Sequence, residues 1–191
     1  MKKVYDVKVK LLSPMHINGG VSADGKRITV KSDNKPYIPA TLFKGLVRNN
    51  FEMLINTYRN EKCNGKESAE KPCRCMTCTL FGKAGFQKSR IIFDNLESNQ
   101  ELKTDIRTNV SVNRYLRKAN DGALVFSEVV SNFDSNGNNV VFTGQITAYY
   151  PVGQNEEYEK FLKAAIQNIN CIGLGKSRGL GFVDDIEVEE A

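Results

Sequence analysis

Along the start of the chain, Val7, Val9 and Leu11 alternate with Asp6, Lys8 and Lys10, the period of two that predicts a strand over 4–12 with one wet face. Apolar positions then thin out, and Asp24-Gly25 predicts a tight hairpin turn within 21–31. Asp33, in Ser-Asp-Asn-Lys-Pro, reads as a further turn residue. Past Pro36 and Pro39 the period lengthens. Phe43, Val47, Phe51, Leu54, Ile55 and Tyr58 predict a helix over 41–58, with Thr41 placed to cap its N-terminus. A polar, lysine-rich stretch containing cysteines follows to residue 81. Strands are expected over 90–96, 123–130 and 140–149, and a last one over 182–188. Between the last two, Tyr158, Phe161, Leu162, Ala165, Ile166 and Ile169 form the stripe of a second helix over 156–169.

Strand, helix, strands, helix, strand is the order of a ferredoxin-like α+β domain with an antiparallel sheet, an architecture shared with the RNA-recognition module. At 191 residues the chain reads as one domain, 1–191, long enough for a substantial core. Hydrophobic content of 40% and charged content of 26% sit near globular averages and exclude a disordered or fibrous class. No apolar run approaches the roughly 18 residues of a membrane span, and the opening Met-Lys-Lys-Val-Tyr-Asp lacks the apolar stretch of an export signal. The expectation is a cytoplasmic protein with no membrane partner. The net charge of +5 is unevenly laid out: residues 1–120 hold 23 Lys and Arg against 11 Asp and Glu, and residues 121–191 hold 4 against 11. A basic front and an acidic back fit a surface laid on nucleic acid, and equally fit solvated faces.

Residues 172–182 read Ile-Gly-Leu-Gly-Lys-Ser-Arg-Gly-Leu-Gly-Phe, with four glycines in the nine residues from Gly173 to Gly181. Such a loop exposes backbone amides, while Lys176 and Arg178 add charge and Ser177 a hydroxyl, a composition suited to a polyanion. It is not a nucleotide P-loop, because that motif needs a glycine five positions before Gly175, where Asn170 stands. A plain glycine-rich connection ahead of the last strand is the alternative. Cys63, Cys73, Cys75 and Cys78 fall in one 16-residue window as C-x9-C-x-C-x2-C, in a loop over 59–82 with few apolar residues of its own. Four thiolates can close a tetrahedral structural zinc site there. Cys171, between Asn170 and Ile172, reads as a core thiol. His16 is the only histidine, which excludes a two-histidine acid/base mechanism within one chain. It reads as structural or as a phosphate contact.

Five segments in order then resemble the RAMP superfamily: residues 13–20 (Ser-Pro-Met-His-Ile-Asn-Gly-Gly), 36–48 (Pro-Tyr-Ile-Pro-Ala-Thr-Leu-Phe-Lys-Gly-Leu-Val-Arg), 78–82 (Cys-Thr-Leu-Phe-Gly), 107–114 (Arg-Thr-Asn-Val-Ser-Val-Asn-Arg) and the glycine-rich stretch. The chain looks most like the repeated backbone subunit of type III CRISPR effector complexes of the Csm/Cmr type. The resemblance implies a ferredoxin-like palm and a thumb hairpin inserted at 103–124. It also implies copies of the chain stacked with other effector subunits along one guide CRISPR RNA, which pairs with single-stranded target RNA. On this likeness Lys44 and Arg48 face guide phosphates, and Arg107 and Arg114 belong to the thumb. The chain departs from the family at Ala40, where glycine is usual, at Leu42, where serine is frequent, and at Asn113, where many members have aspartate. Its thumb is expected to be trimmed, and the cysteine cluster is an elaboration of only some relatives.

Members that cut RNA use an aspartate in the loop before the Pro-x-Ile-Pro segment, which here corresponds to Asp24. The resemblance therefore implies that Asp24 ligates Mg²⁺ or Mn²⁺ or positions the attacking 2′-hydroxyl. Asp24-Gly25 is equally a good hairpin turn with no chemistry attached. Three functions follow: a backbone subunit that binds guide RNA and cuts paired target RNA at regular intervals; a purely structural guide-binding subunit; and a guide-processing ribonuclease.

Overall fold

The computed structural model describes residues 1–61, 63, 73–85, 87–153 and 155–191. In chain order the elements are β1 (Lys2–Leu11), β2 (Asn18–Val21), β3 (Arg27–Thr29), β4 (Lys31–Ser32), β5 (Lys35–Pro36), α1 (Ala40–Arg59), α2 (Met76–Phe81), β6 (Ile91–Phe93), β7 (Leu102–Asn113), β8 (Lys118–Asp134), β9 (Val141–Tyr149), α3 (Asn155–Gln167) and β10 (Val183–Glu190). A short 3₁₀ turn, Lys176–Arg178, precedes the last strand.

One antiparallel sheet has the order β10-β1-β9-β6, with α1 connecting β1 towards β6 and α3 connecting β9 to β10. The alternation read from β1 sets its faces. Tyr5, Val7, Val9 and Leu11 are buried, and their register partners Ile146, Phe142 and Ile186 are buried beside them. On the helices, Phe43, Val47, Phe51 and Ile55 of α1 and Tyr158, Leu162, Ala165 and Ile166 of α3 complete the core. Edge-on ring contacts Phe51–Phe81 and Phe51–Phe161, with centroids 5.4 and 6.4 Å apart, tie α1 to α2 and α3. Tyr58, expected on the buried stripe, is 74% exposed, its ring tilted 6.3 Å from that of Phe161 on α3. The helix also starts one residue before Thr41. Pro39 holds the extended N-cap position, no side chain caps it, and the Ala40 amide instead donates to Asn95 Oδ1 at 2.9 Å.

The other face of this sheet is not basic. Lys8 lies 3.0 Å from Glu187 and 3.7 Å from Glu189, Lys10 lies 2.6 Å from Asp184, and Gln145 donates to Asp6 at 2.9 Å. The acidic end of the chain, as β10, is thus folded onto the basic start, as β1. Asp6, Lys8, Thr143, Gln145, Glu187 and Glu189 occupy the middle of this face, with Tyr149 opposite Lys2 at one end and Ile92 opposite Thr147 on the β6 edge.

A second sheet has the order β2-β3-β8-β7. Its main feature is one long hairpin, β7–β8, joined by a turn at residues 114–117. The strand expected over 123–130 and the segment expected at 103–124 both belong to this hairpin. Only its base is buried, at Ser127, Val129, Val130 and Asp134. Along its length it exposes Ile106, Val110, Val112 and Leu124, and at its turn Tyr115 and Leu116. No helix among the described residues is long and apolar enough to cross a membrane.

Candidate functional site

The glycine-rich stretch folds back onto the segment that holds His16. Leu174 N–H donates to the His16 carbonyl and Gly181 N–H to the Pro14 carbonyl, both at 2.8 Å, and Phe182 N–H donates to Ser13 Oγ at 2.9 Å. Gly173 makes the approach possible. Its φ is +89°, and a Cβ there would collide with the His16 carbonyl oxygen. Gly175 and Gly179, both left-handed, bracket the Lys176–Arg178 turn and leave Lys176, Ser177 and Arg178 exposed. Arg107, near the base of β7, donates to the Arg178 carbonyl at 2.7 Å, so the loop is pinned to the long hairpin.

Between loop and hairpin lies a cavity of about 400 Å³, lined on its polar side by His16, Arg27, Asn109, Ser111, Ser127 and Arg178. Val110, Val125, Leu174 and Leu180 supply apolar wall. His16 is 3% exposed, and its ring Nδ1 lies 2.7 Å from the Glu128 carbonyl. A carbonyl only accepts, so Nδ1 carries the proton. Nε2 is buried with no hydrogen-bond partner among the described residues.

Glu128 organises this region. Its side chain accepts from Thr29 N–H at 3.0 Å and pairs with Lys31 Nζ at 2.6 Å, tying the segment after β3 to β8. Burial alone would raise its pKa, but the Lys31 ammonium and the Thr29 amide outweigh it and hold the carboxyl below the ordinary value.

The expected site residues therefore fall into groups. His16, Arg107, Lys176, Ser177 and Arg178 come together at the hairpin base. Lys44 and Arg48 lie one turn apart on α1, where Lys44 Nζ donates to Ser89 Oγ at 2.9 Å. Burial, then the neighbouring Arg48 charge, lowers the Lys44 pKa. Arg114 sits in the hairpin turn, about 23 Å along the strand from Arg107 at the usual rise per residue. Asn113 Oδ1 accepts from Tyr115 and Leu116 N–H, both at 3.0 Å, and shapes that turn. Asp24 stands at the tip of the β2–β3 hairpin, where Ser22 N–H donates to the Lys26 carbonyl at 2.8 Å and Gly25 N–H to the Ser22 carbonyl at 2.9 Å. Its side chain is 76% exposed, 3.7 Å from Lys26 Nζ.

Arg27, Asn109, Ser111 and Glu128 are additional site residues not picked out from the sequence. Glu128 had a signal, a lone carboxylate inside the apolar run Leu-Val-Phe-Ser-Glu-Val-Val, which when buried requires a cation or amide partner. Arg27 had none beyond its position after the Asp24-Gly25 turn.

The Sγ atoms of Cys63, Cys73, Cys75 and Cys78 all lie within 4.8 Å of one another. Cys63 is 3.5 Å from Cys78 and 4.0 Å from Cys73, far beyond a covalent S–S bond. Four sulfurs at Zn–S distances of 2.3 Å in a tetrahedron stand about 3.8 Å apart, so the cluster could hold a metal ion such as zinc. Cys75 also caps α2, accepting from Cys78 N–H at 3.3 Å. Burial pushes the Cys75 and Cys78 thiols up to about 11, so a bound cation is what would make them thiolates at neutral pH. Residues 62 and 64–72 of the expected 59–82 loop lie outside the described residues. Cys171 is buried as a core thiol and donates to the Leu180 carbonyl at 3.2 Å.

No curated protein matches the chain. The family model of the RAMP superfamily matches residues 8–184, from within β1 to the start of β10, and the chain belongs to that superfamily.

Proposed function

We propose that the protein is a guide-RNA-binding backbone subunit of a type III CRISPR effector, cutting guide-paired target RNA at Asp24 with Mg²⁺ or Mn²⁺. Membership of the RAMP superfamily supports a CRISPR-associated, RNA-binding role within a multi-subunit complex. The observation that carries the binding reading is the convergence of Arg27, Arg178 and His16 around one cavity at the base of a long hairpin, with Arg107 hydrogen-bonded to the Arg178 carbonyl beside it. On this reading the sheet β10-β1-β9-β6, connected β-α-β-β-α-β, is a ferredoxin-like palm, and the exposed part of β7–β8 is the thumb. Guide phosphates would run past Lys176, Ser177 and Arg178 to Lys44 and Arg48, away from the charge-paired sheet face. The cysteine cluster would carry a structural zinc that folds its loop and leaves no open position for chemistry.

Asp24 belongs to no cluster of three metal-ligating side chains among the described residues. A divalent ion there would draw its other ligands from RNA phosphates and water, the usual habit of Mg²⁺. The same isolation, with the well-formed turn, favours the second reading, a non-catalytic guide-binding backbone subunit. A guide-processing ribonuclease is the weakest of the three, since His16 is the sole histidine and is held in a buried structural bond.

Filter binding of RNA across a salt series tests the binding reading. Arg178→Ala and Arg107→Ala should each weaken binding and lower the salt slope by about one. Unchanged affinity and slope in both variants would overturn it.

A further inference from the structure

We propose that His16 Nε2 recognises a ribose 2′-hydroxyl, making the cavity at the hairpin base the point where the protein distinguishes RNA from DNA. This rests on the reading that RNA binds at this site, and adds which atom of the nucleotide is read. Donation from Nδ1 to the Glu128 carbonyl leaves Nε2 of the neutral ring as an acceptor. A buried acceptor without a partner is costly, which makes a donor brought by a ligand the natural complement. Arg27 and Arg178 on the same cavity wall offer charge to a phosphate, and the 2′-hydroxyl is the donor closest to a backbone phosphate in RNA. DNA has no such group. Val110, Val125, Leu174 and Leu180 complete the wall with surface suited to the apolar edge of a sugar, and the volume of about 400 Å³ falls in the usual range for small-ligand sites. A phosphate-only site would not need an acceptor, because a phosphate supplies none of the protons that Nε2 lacks.

The test compares three oligonucleotides of one sequence: RNA, DNA, and 2′-fluoro RNA, which keeps the RNA sugar pucker but has no donor at the 2′ position. They are bound to the full chain and to its His16→Asn variant at fixed salt. Asparagine places its amide nitrogen where Nδ1 stands, keeping the bond to the Glu128 carbonyl while removing the Nε2 acceptor. The wild type should bind RNA about fivefold to tenfold more tightly than 2′-fluoro RNA, the scale of one lost hydrogen bond. His16→Asn should bind RNA as weakly as the wild type binds 2′-fluoro RNA, with its 2′-fluoro penalty gone. A penalty retained in full by His16→Asn, or equal wild-type affinity for RNA and 2′-fluoro RNA, overturns the proposal. If His16→Asn does not fold, His16→Gln takes its place with the same outcomes, and the wild-type comparison alone can still overturn the proposal, because no 2′-fluoro penalty means no donor is read. RNA binding that is insensitive to the 2′ position but sensitive to Arg178→Ala would sink this inference and leave the guide-binding reading standing; absence of RNA binding would sink both.

Discussion

Replacing Gly173 by alanine should cost far more than the same change at Gly179, although both glycines sit in one loop at nearly the same φ, +89° and +78°. Left-handed backbone costs an L-residue roughly 1–2 kcal/mol at either position. At Gly179 a Cβ meets nothing within 4 Å, so that strain is the whole effect, partly offset by the lower entropy of the unfolded alanine chain. At Gly173 the new methyl runs into the His16 carbonyl, the acceptor of the Leu174 amide. The loop must lift, and losing that hydrogen bond adds about 1 kcal/mol, with more from the opened packing, for a total of about 2–4 kcal/mol. Urea unfolding with an unchanged m-value reads the difference directly, and melting should fall by about 2–4 °C for each kcal/mol in a chain of this size. RNA affinity should fall in Gly173→Ala alone, because only there is Arg178 carried away from the His16 cavity. Equal losses in the two variants would refute the claim that close packing on His16 fixes this loop.

Purified protein should carry one zinc per chain, and Cys78→Ser should abolish it while leaving the sheet folded; less than half an equivalent by elemental analysis would count against the site. Phe51→Ala should cost about 3–5 kcal/mol in the same urea assay, because the ring is fully buried against Phe81 and Phe161. For Glu128, a folded pKa below the ordinary 4.5 means stability that is present above that value and lost as pH falls through the folded one. The penalty of Glu128→Gln should therefore be full at pH 7 and shrink as the pH is taken below 4.5; a penalty constant with pH would show that Lys31 and Thr29 do not act through the charge.

What could be read beforehand was whatever depends on period and turn chemistry. Val7, Val9 and Leu11 announced a half-buried strand, the Phe43-to-Ile55 stripe announced α1, and Asp24-Gly25 announced its turn. Cysteine spacing was enough to single out a cluster whose sulfurs do come together. Long-range pairing was not legible. β7 does alternate, Leu102, Ile106, Val110 and Val112 against Lys103, Asp105, Arg107 and Asn109, but both of its faces stay largely exposed, so the pattern marks no core face, and only the 123–130 part of the hairpin is predicted as a strand. The charge asymmetry left two alternatives open and could not show that antiparallel pairing of β1 with β10 sets Lys8 and Lys10 against carboxylates nearly the whole chain away. Arg27 and Glu128 joined the site only through the pairing of β3 with β8, which no local signal encodes.

The most direct test of the account is cleavage of guide-paired RNA by the assembled complex, with wild-type chain and with Asp24→Asn. Asparagine suits the same hairpin turn, so the fold and the affinity for guide and target should be untouched, while the carboxylate is gone. The account predicts Mg²⁺- or Mn²⁺-dependent products at a constant interval from the wild type, stopped by EDTA, and none from Asp24→Asn. Wild-type cleavage by the Asp24→Asn assembly, or a wild-type assembly that binds target and never cuts it, would contradict the catalytic claim.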